Sequence, residues 1–115
     1  PIYPGALRIV FTEDIEVVKE YFPDYERDII VGATGVTKDE LWTVTTIINP
    51  YFIDTTNKMS VYGLIAHEAL HVVQEIFYNV GIEMSLDNPE PANYMLGWVV
   101  EEIYKLGMEV KLKVN

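Results

Sequence analysis

The chain contains no cysteine, so neither a disulfide framework nor a thiolate zinc site can form, and any metal must be held by imidazole or carboxylate. Basic residues are scarce: eight Lys and Arg stand against eighteen Asp and Glu, a formal net charge of -10. That balance repels phosphate and anionic lipid, which argues against nucleic acid and membrane as partners and for a solvated acidic surface. No apolar run reaches membrane-spanning length, and the opening Pro1-Ile2-Tyr3-Pro4-Gly5 lacks the basic and apolar segments of a signal peptide. The expectation is a soluble protein, not exported by a signal peptide, with its initiator Met removed and a reducing cytosol as a compatible home. Repeats, low-complexity tracts and long Pro/Gly/Ser linkers are also missing. Histidine occurs only twice, and both copies fall within five residues.

What is present suits one domain. The 115 residues are 50% hydrophobic and 12% aromatic, enough apolar material for a single core and too much for a disordered chain. Leu7-Arg8-Ile9-Val10-Phe11 reads as a first strand. Thr12 then caps a helix from about Glu13 to Phe22, with Glu13, Asp14 and Glu16 in the turn where the helix dipole favours negative charge, and Pro23 ends it. Residues 28–37 and 41–48 read as two strands joined by the polar turn Lys38-Asp39-Glu40, a hairpin. Asn49-Pro50 breaks the second strand and a loop follows over 50–59.

Ser60 is the expected N-cap of a helix to about Asn79 that Gly81 closes. Asn88-Pro89 opens a last helix that Gly107 stops, and Met108 to Asn115 is left as a short strand or a frayed tail. The order β-α-β-β-α-α predicts an α+β domain with a small sheet covered by helices.

The segment His67-Glu68-Ala69-Leu70-His71 carries the chemistry. On a helix advancing about 100° per residue, His71 stands about 40° from His67, Glu75 about 80° and Glu68 about 100°, with Gln74 and Tyr78 within about 20°. Ile65, Ala69, Val72, Val73, Ile76 and Val80 fall at about 140° to 240°, so one side is core and the other, carrying both histidines and Glu68, is the expected polar face. Imidazoles one turn apart reach one metal ion. Zinc takes nitrogen and oxygen ligands tetrahedrally and, in a catalytic site, leaves one position for water, so two histidines require a further protein ligand. Glu68, beside the pair and pointing past the metal, is placed as general base.

A histidine six residues after His71 would make the elongated metzincin pattern, but that residue is Phe77. The third ligand must then be Asp or Glu. Glu90, Glu101 and Glu102 on the last helix and Glu83 and Asp87 before it are the candidates. Taking Glu90 as zero, Tyr94 lies at about 40° and Glu101 at about 20°, whereas Met95, Leu96, Val99, Val100, Ile103 and Leu106 cluster at about 140° to 280°. Glu90 is the first candidate ligand, Glu101 the reserve and Tyr94 a candidate hydrogen-bond donor to an oxyanion.

The stretch Ile65-Ala66-His67-Glu68-Ala69-Leu70-His71-Val72-Val73, then Val80-Gly81-Ile82, then Asn88-Pro89-Glu90-Pro91-Ala92-Asn93-Tyr94, resembles small phage-encoded zincin-like proteins, which look like pared-down gluzincins. The resemblance covers about residues 44 to 106. It implies a zincin-like minimal domain over 1–115, a zinc ion on His67, His71 and Glu90, and Glu68 as base. It also implies a location in the host cytoplasm or virion, with phage structural proteins as partners.

The leading expectation is a zinc metallopeptidase-like hydrolase that cleaves peptide bonds with metal-activated water. Leu41 to Ile48 is the expected sheet edge for an added substrate strand. The alternative is a non-catalytic virion or assembly protein that keeps the metal site on the same fold. An acidic decoy for a nucleic-acid-binding protein fits less well, since a decoy needs no ordered pair of imidazoles.

Overall fold

The computed structural model describes residues 5–38, 42–51, 61–82 and 84–114. Asp39 and Glu40 of the expected turn 38–40, Leu41, residues 52–59 of the expected loop 50–59, the Ser60 cap, Glu83, residues 1–4 and Asn115 lie outside them. Three strands and three helices follow one another as β1 (Gly5–Phe11), α1 (Ile15–Tyr21), β2 (Gly32–Lys38), β3 (Trp42–Ile48), α2 (Val61–Val80) and α3 (Glu90–Val114). The architecture is α+β in the order expected.

The sheet order is β1-β3-β2, with β1 parallel and β2 antiparallel to β3. β3 is therefore the central strand and not an edge, which corrects the expected position of the substrate-binding edge. The run Val44-Thr45-Thr46-Ile47-Ile48 explains why: all five residues are buried, as a strand covered on both faces requires. β2 takes the edge instead.

Strand alternation assigns side chains to two cores. Val44 and Ile48 join Leu64, Ile65, Ala69, Val72, Val73, Phe77, Val99 and Ile103 beneath α2 and α3. Ile47, one position out of phase, joins Val18 and Ile30 under α1. The apolar faces expected of α2 and α3 are those buried. Phe77 is in this core, so the absence of a histidine there reflects the direction of position 77 as well as its identity.

The helix ends differ from expectation at two places. α1 is capped by Asp14, whose side chain accepts from the Glu16 N–H, while Thr12 Oγ1 accepts from the Asp14 N–H one step earlier. Two oxygen-bearing residues compete for the same role, and the one nearer the first turn takes it. α3 runs through Gly107, which does not stop it. A Cβ there would stand 3.1 Å from Phe11 Cζ, so this glycine lets the last turns of α3 approach the end of β1. At the end of α2, Gly81 has φ +74°, with the Ile82 N–H bonded to the Phe77 carbonyl and the Gly81 N–H to that of Tyr78. That is the paired closure a left-handed glycine permits.

Candidate metal centre

α2 lies across β2 and β3 and presents three potential ligands to one point. His67 Nε2 and His71 Nε2 are 3.2 Å apart, and Glu68 Oε2 is 4.0 Å from His67 Nε2. The ligand atoms of the three side chains all lie within 4.8 Å of one another, forming a group able to hold a metal ion. Two nitrogens each about 2.0–2.1 Å from a tetrahedral zinc stand about 3.3–3.4 Å apart, so the imidazole pair has the spacing of co-ligands. The carboxylate stands farther back than that spacing.

The histidines are exposed, whereas Glu68 is only 4% exposed. Glu68 is thus not on the solvated side of the helix. At about 100° from His67 it falls at the margin of the apolar face, and β2 covers that margin. Glu68 Oε1 accepts a 2.9 Å hydrogen bond from the Thr34 hydroxyl, and Thr34 Oγ1 is 2.8 Å from Thr46 Oγ1. A hydroxyl has one proton, so while Thr34 donates to the carboxylate, Thr46 is the donor to Thr34. Burying a carboxylate is costly unless it is hydrogen-bonded, and this chain supplies the bond. Among the described residues no buried side-chain nitrogen or oxygen lacks a partner.

His71 Nδ1 lies 3.3 Å from Gln74 Oε1. With Nδ1 protonated and donating to that carbonyl, Nε2 keeps its lone pair for a metal, and the ring is held by an outer partner. The two rings meet edge to face, with centroids 4.8 Å apart and planes at 76°.

The residues expected from α3 stand elsewhere. Glu90 and Tyr94 are exposed, Tyr94 by 75%, and Glu90 is not in the group that converges on the histidines. Glu101 is also exposed and pairs with Lys105 at 3.2 Å. The Tyr62 and Tyr104 rings, 5.8 Å apart, mark the flank of α2 that meets α3. Tyr62 is five residues before His67, about 140° around the helix, so α3 and the histidines occupy different flanks. Tyr104 is fourteen residues beyond Glu90, about 21 Å along the axis, which sets Glu90 level with the C-terminal part of α2, beyond His71.

Sequence reasoning passed over Gly32, Thr34 and Thr46. One signal was present: Thr46 is a polar residue in phase with Val44 and Ile48, on a face otherwise apolar. Gly32 could be recognised only from its neighbour, since a Cβ there would lie 3.0 Å from Glu68 Cγ, Cδ and Oε2.

Among the described residues no helix is long and apolar enough to cross a membrane. No protein-family model, no curated protein and no solved structure matches the chain, so what the site does rests on its own geometry.

Proposed function

We propose that this domain is a zinc-dependent, peptidase-like hydrolase with a minimal zincin-type site, in which His67 and His71 hold the metal and Glu68 serves as general base. One observation carries the reading: an imidazole pair at co-ligand spacing with a buried carboxylate set 4.0 Å from one of its nitrogens. A carboxylate acting as third ligand would stand at the histidines' own spacing, whereas one set back leaves room for a water molecule.

Bound zinc supplies Lewis acidity, polarising a carbonyl and bringing the pKa of a ligated water to about 7. Glu68 Oε2, on the side of the carboxylate turned toward His67, takes the proton of the attacking water and returns it to the leaving amine, while Oε1 stays bonded to Thr34. β2, an edge strand whose Gly32 and Thr34 flank this carboxylate, offers backbone groups to which an extended peptide adds as a further strand. In this reading the edge is β2, directly beside the base, and His67 and His71 would hold the metal, with Glu90 of α3 outside their group.

A non-catalytic assembly module of the same fold is favoured by a different observation, the exposed Tyr94 and Trp98 one turn apart on α3. Zinc content and cleavage of a peptide library, wild type beside Glu68→Gln, separate the two. Hydrolysis lost in Glu68→Gln with zinc retained is expected. Equal behaviour of the two proteins on every peptide, with zinc bound to both, would overturn the enzyme reading in favour of the module.

A further inference from the structure

We infer that Thr34, backed by Thr46 and given clearance by Gly32, is the positioning device for Glu68. The inference rests on the reading of Glu68 as base and adds residues from the sheet to a site otherwise built on one helix.

One hydrogen bond, a second one behind it and one close backbone approach fix a single carboxylate. Thr34 donates to Oε1 at 2.9 Å. Thr46 lies 2.8 Å behind Thr34, directly opposite it in the β2–β3 register, and its hydroxyl proton directs the Thr34 proton forward. Gly32, two residues along the same face of β2, leaves the space that a side chain would take from Cγ, Cδ and Oε2. One oxygen is therefore tethered to the sheet and the other is turned toward His67. A glutamate on a helix surface has three freely rotating bonds, and a base displaced by about 1 Å can lose about 100-fold in rate. Here burial at the helix–sheet boundary removes that freedom.

The variants are Thr34→Val, which keeps the shape and removes the hydroxyl, and Thr34→Ser, which keeps the hydroxyl, each beside Glu68→Gln. Chelator competition reads zinc affinity, the visible spectrum of the cobalt-loaded protein reads the metal surroundings without any turnover, and peptide cleavage reads kcat and KM. Thr34→Val is expected to keep zinc affinity, to move the cobalt spectrum in the direction Glu68→Gln moves it, and to lower kcat by about 10- to 100-fold at unchanged KM. Thr34→Ser is expected to restore both. A Thr34→Val protein that keeps the wild-type cobalt spectrum and kcat, while Glu68→Gln changes them, overturns the positioning role and leaves the base intact. A Glu68→Gln protein that itself changes neither overturns the base, and the positioning role with it, so the two failures are told apart by the glutamate variant alone. Should Thr34→Val not fold, Thr46→Val carries the same test, with a smaller loss expected because Thr34 still donates but is no longer directed.

Discussion

Two threonine pairs cross from β2 to β3, one on each face of the sheet. Under α1, Thr37 Oγ1 lies 2.9 Å from Thr45 Oγ1 and donates to the Thr43 carbonyl at 3.4 Å. Under α2, Thr34 and Thr46 make the same contact at 2.8 Å, but the chain ends on the Glu68 carboxylate. The first pair satisfies itself within the hairpin and is a packing device. The second spends its last proton on another element, and that element carries the two histidines. The same pair of hydroxyls is thus structural on one face and directed at a site on the other. The glycines repeat the contrast: a Cβ at Gly35 would meet the Phe22 ring at 3.0 Å, and one at Gly32 would meet Glu68 at the same distance.

The contrast can be broken most forcefully at the metal. Zinc at about a hundred times its Kd stabilises a folded site by about 2.7 kcal/mol, and His71→Ala is expected to abolish that gain, read as the loss of the zinc-dependent rise in melting temperature. Retention of the full rise would show that zinc binds elsewhere. Next come the glycines. Alanine at either position overpacks a tight contact and is expected to cost about 1–3 kcal/mol in denaturant unfolding, yet only Gly32→Ala should also alter the cobalt spectrum of the α2 site. Equal spectral effects would erase the distinction between the faces.

The threonines follow. Thr34→Val leaves a buried carboxylate without its donor and is expected to cost about 1.5–3 kcal/mol, against about 1 kcal/mol for Thr37→Val, whose lost partners, the Thr43 carbonyl and the Thr45 hydroxyl, are both neutral. Urea titration of the two variants measures the difference, and a larger loss in Thr37→Val would reverse the assignment of roles. The smallest effect is expected at Glu90→Gln. An exposed substitution of this kind changes stability by no more than about 0.5 kcal/mol, and zinc affinity by chelator competition should stay near that of wild type. A fall of the order of a hundredfold would instead make Glu90 a ligand and require α3 to move toward the histidines.

Much of the fold was legible because its signals are local. The strand at Leu7–Phe11, the β2–β3 hairpin, the amphipathic α2 and the apolar stripe of α3 each follow from periodicity, and the Gly81 closure from one residue type. The misreadings arose where two local signals competed or where a distant neighbour decided. Thr12 and Asp14 both suit a cap, and only the path of the chain selects Asp14. Gly107 resembles a helix stop until the Phe11 ring is seen beside it. The composition of β3, with Thr45 and Thr46 between its apolar residues, does not by itself name the centre; burial on both faces and the parallel pairing with β1 do.

What the sequence determined by itself is the pairing of the histidines, because i and i+4 positions on a helix meet whatever the helix packs against. It also determined that no thiolate could join them and that position 77 could not supply a third imidazole. What only the tertiary structure decided is the state of Glu68 and the company it keeps. A residue at about 100° from His67 is solvated or buried according to what covers that margin of the helix. β2 covers it, bringing a glycine that leaves room and a hydroxyl that donates from thirty-four residues away. Helical spacing is a local property and was readable. The choice of strand laid beside it is a long-range one, and it turned an apparent surface glutamate into a buried, hydrogen-bonded carboxylate.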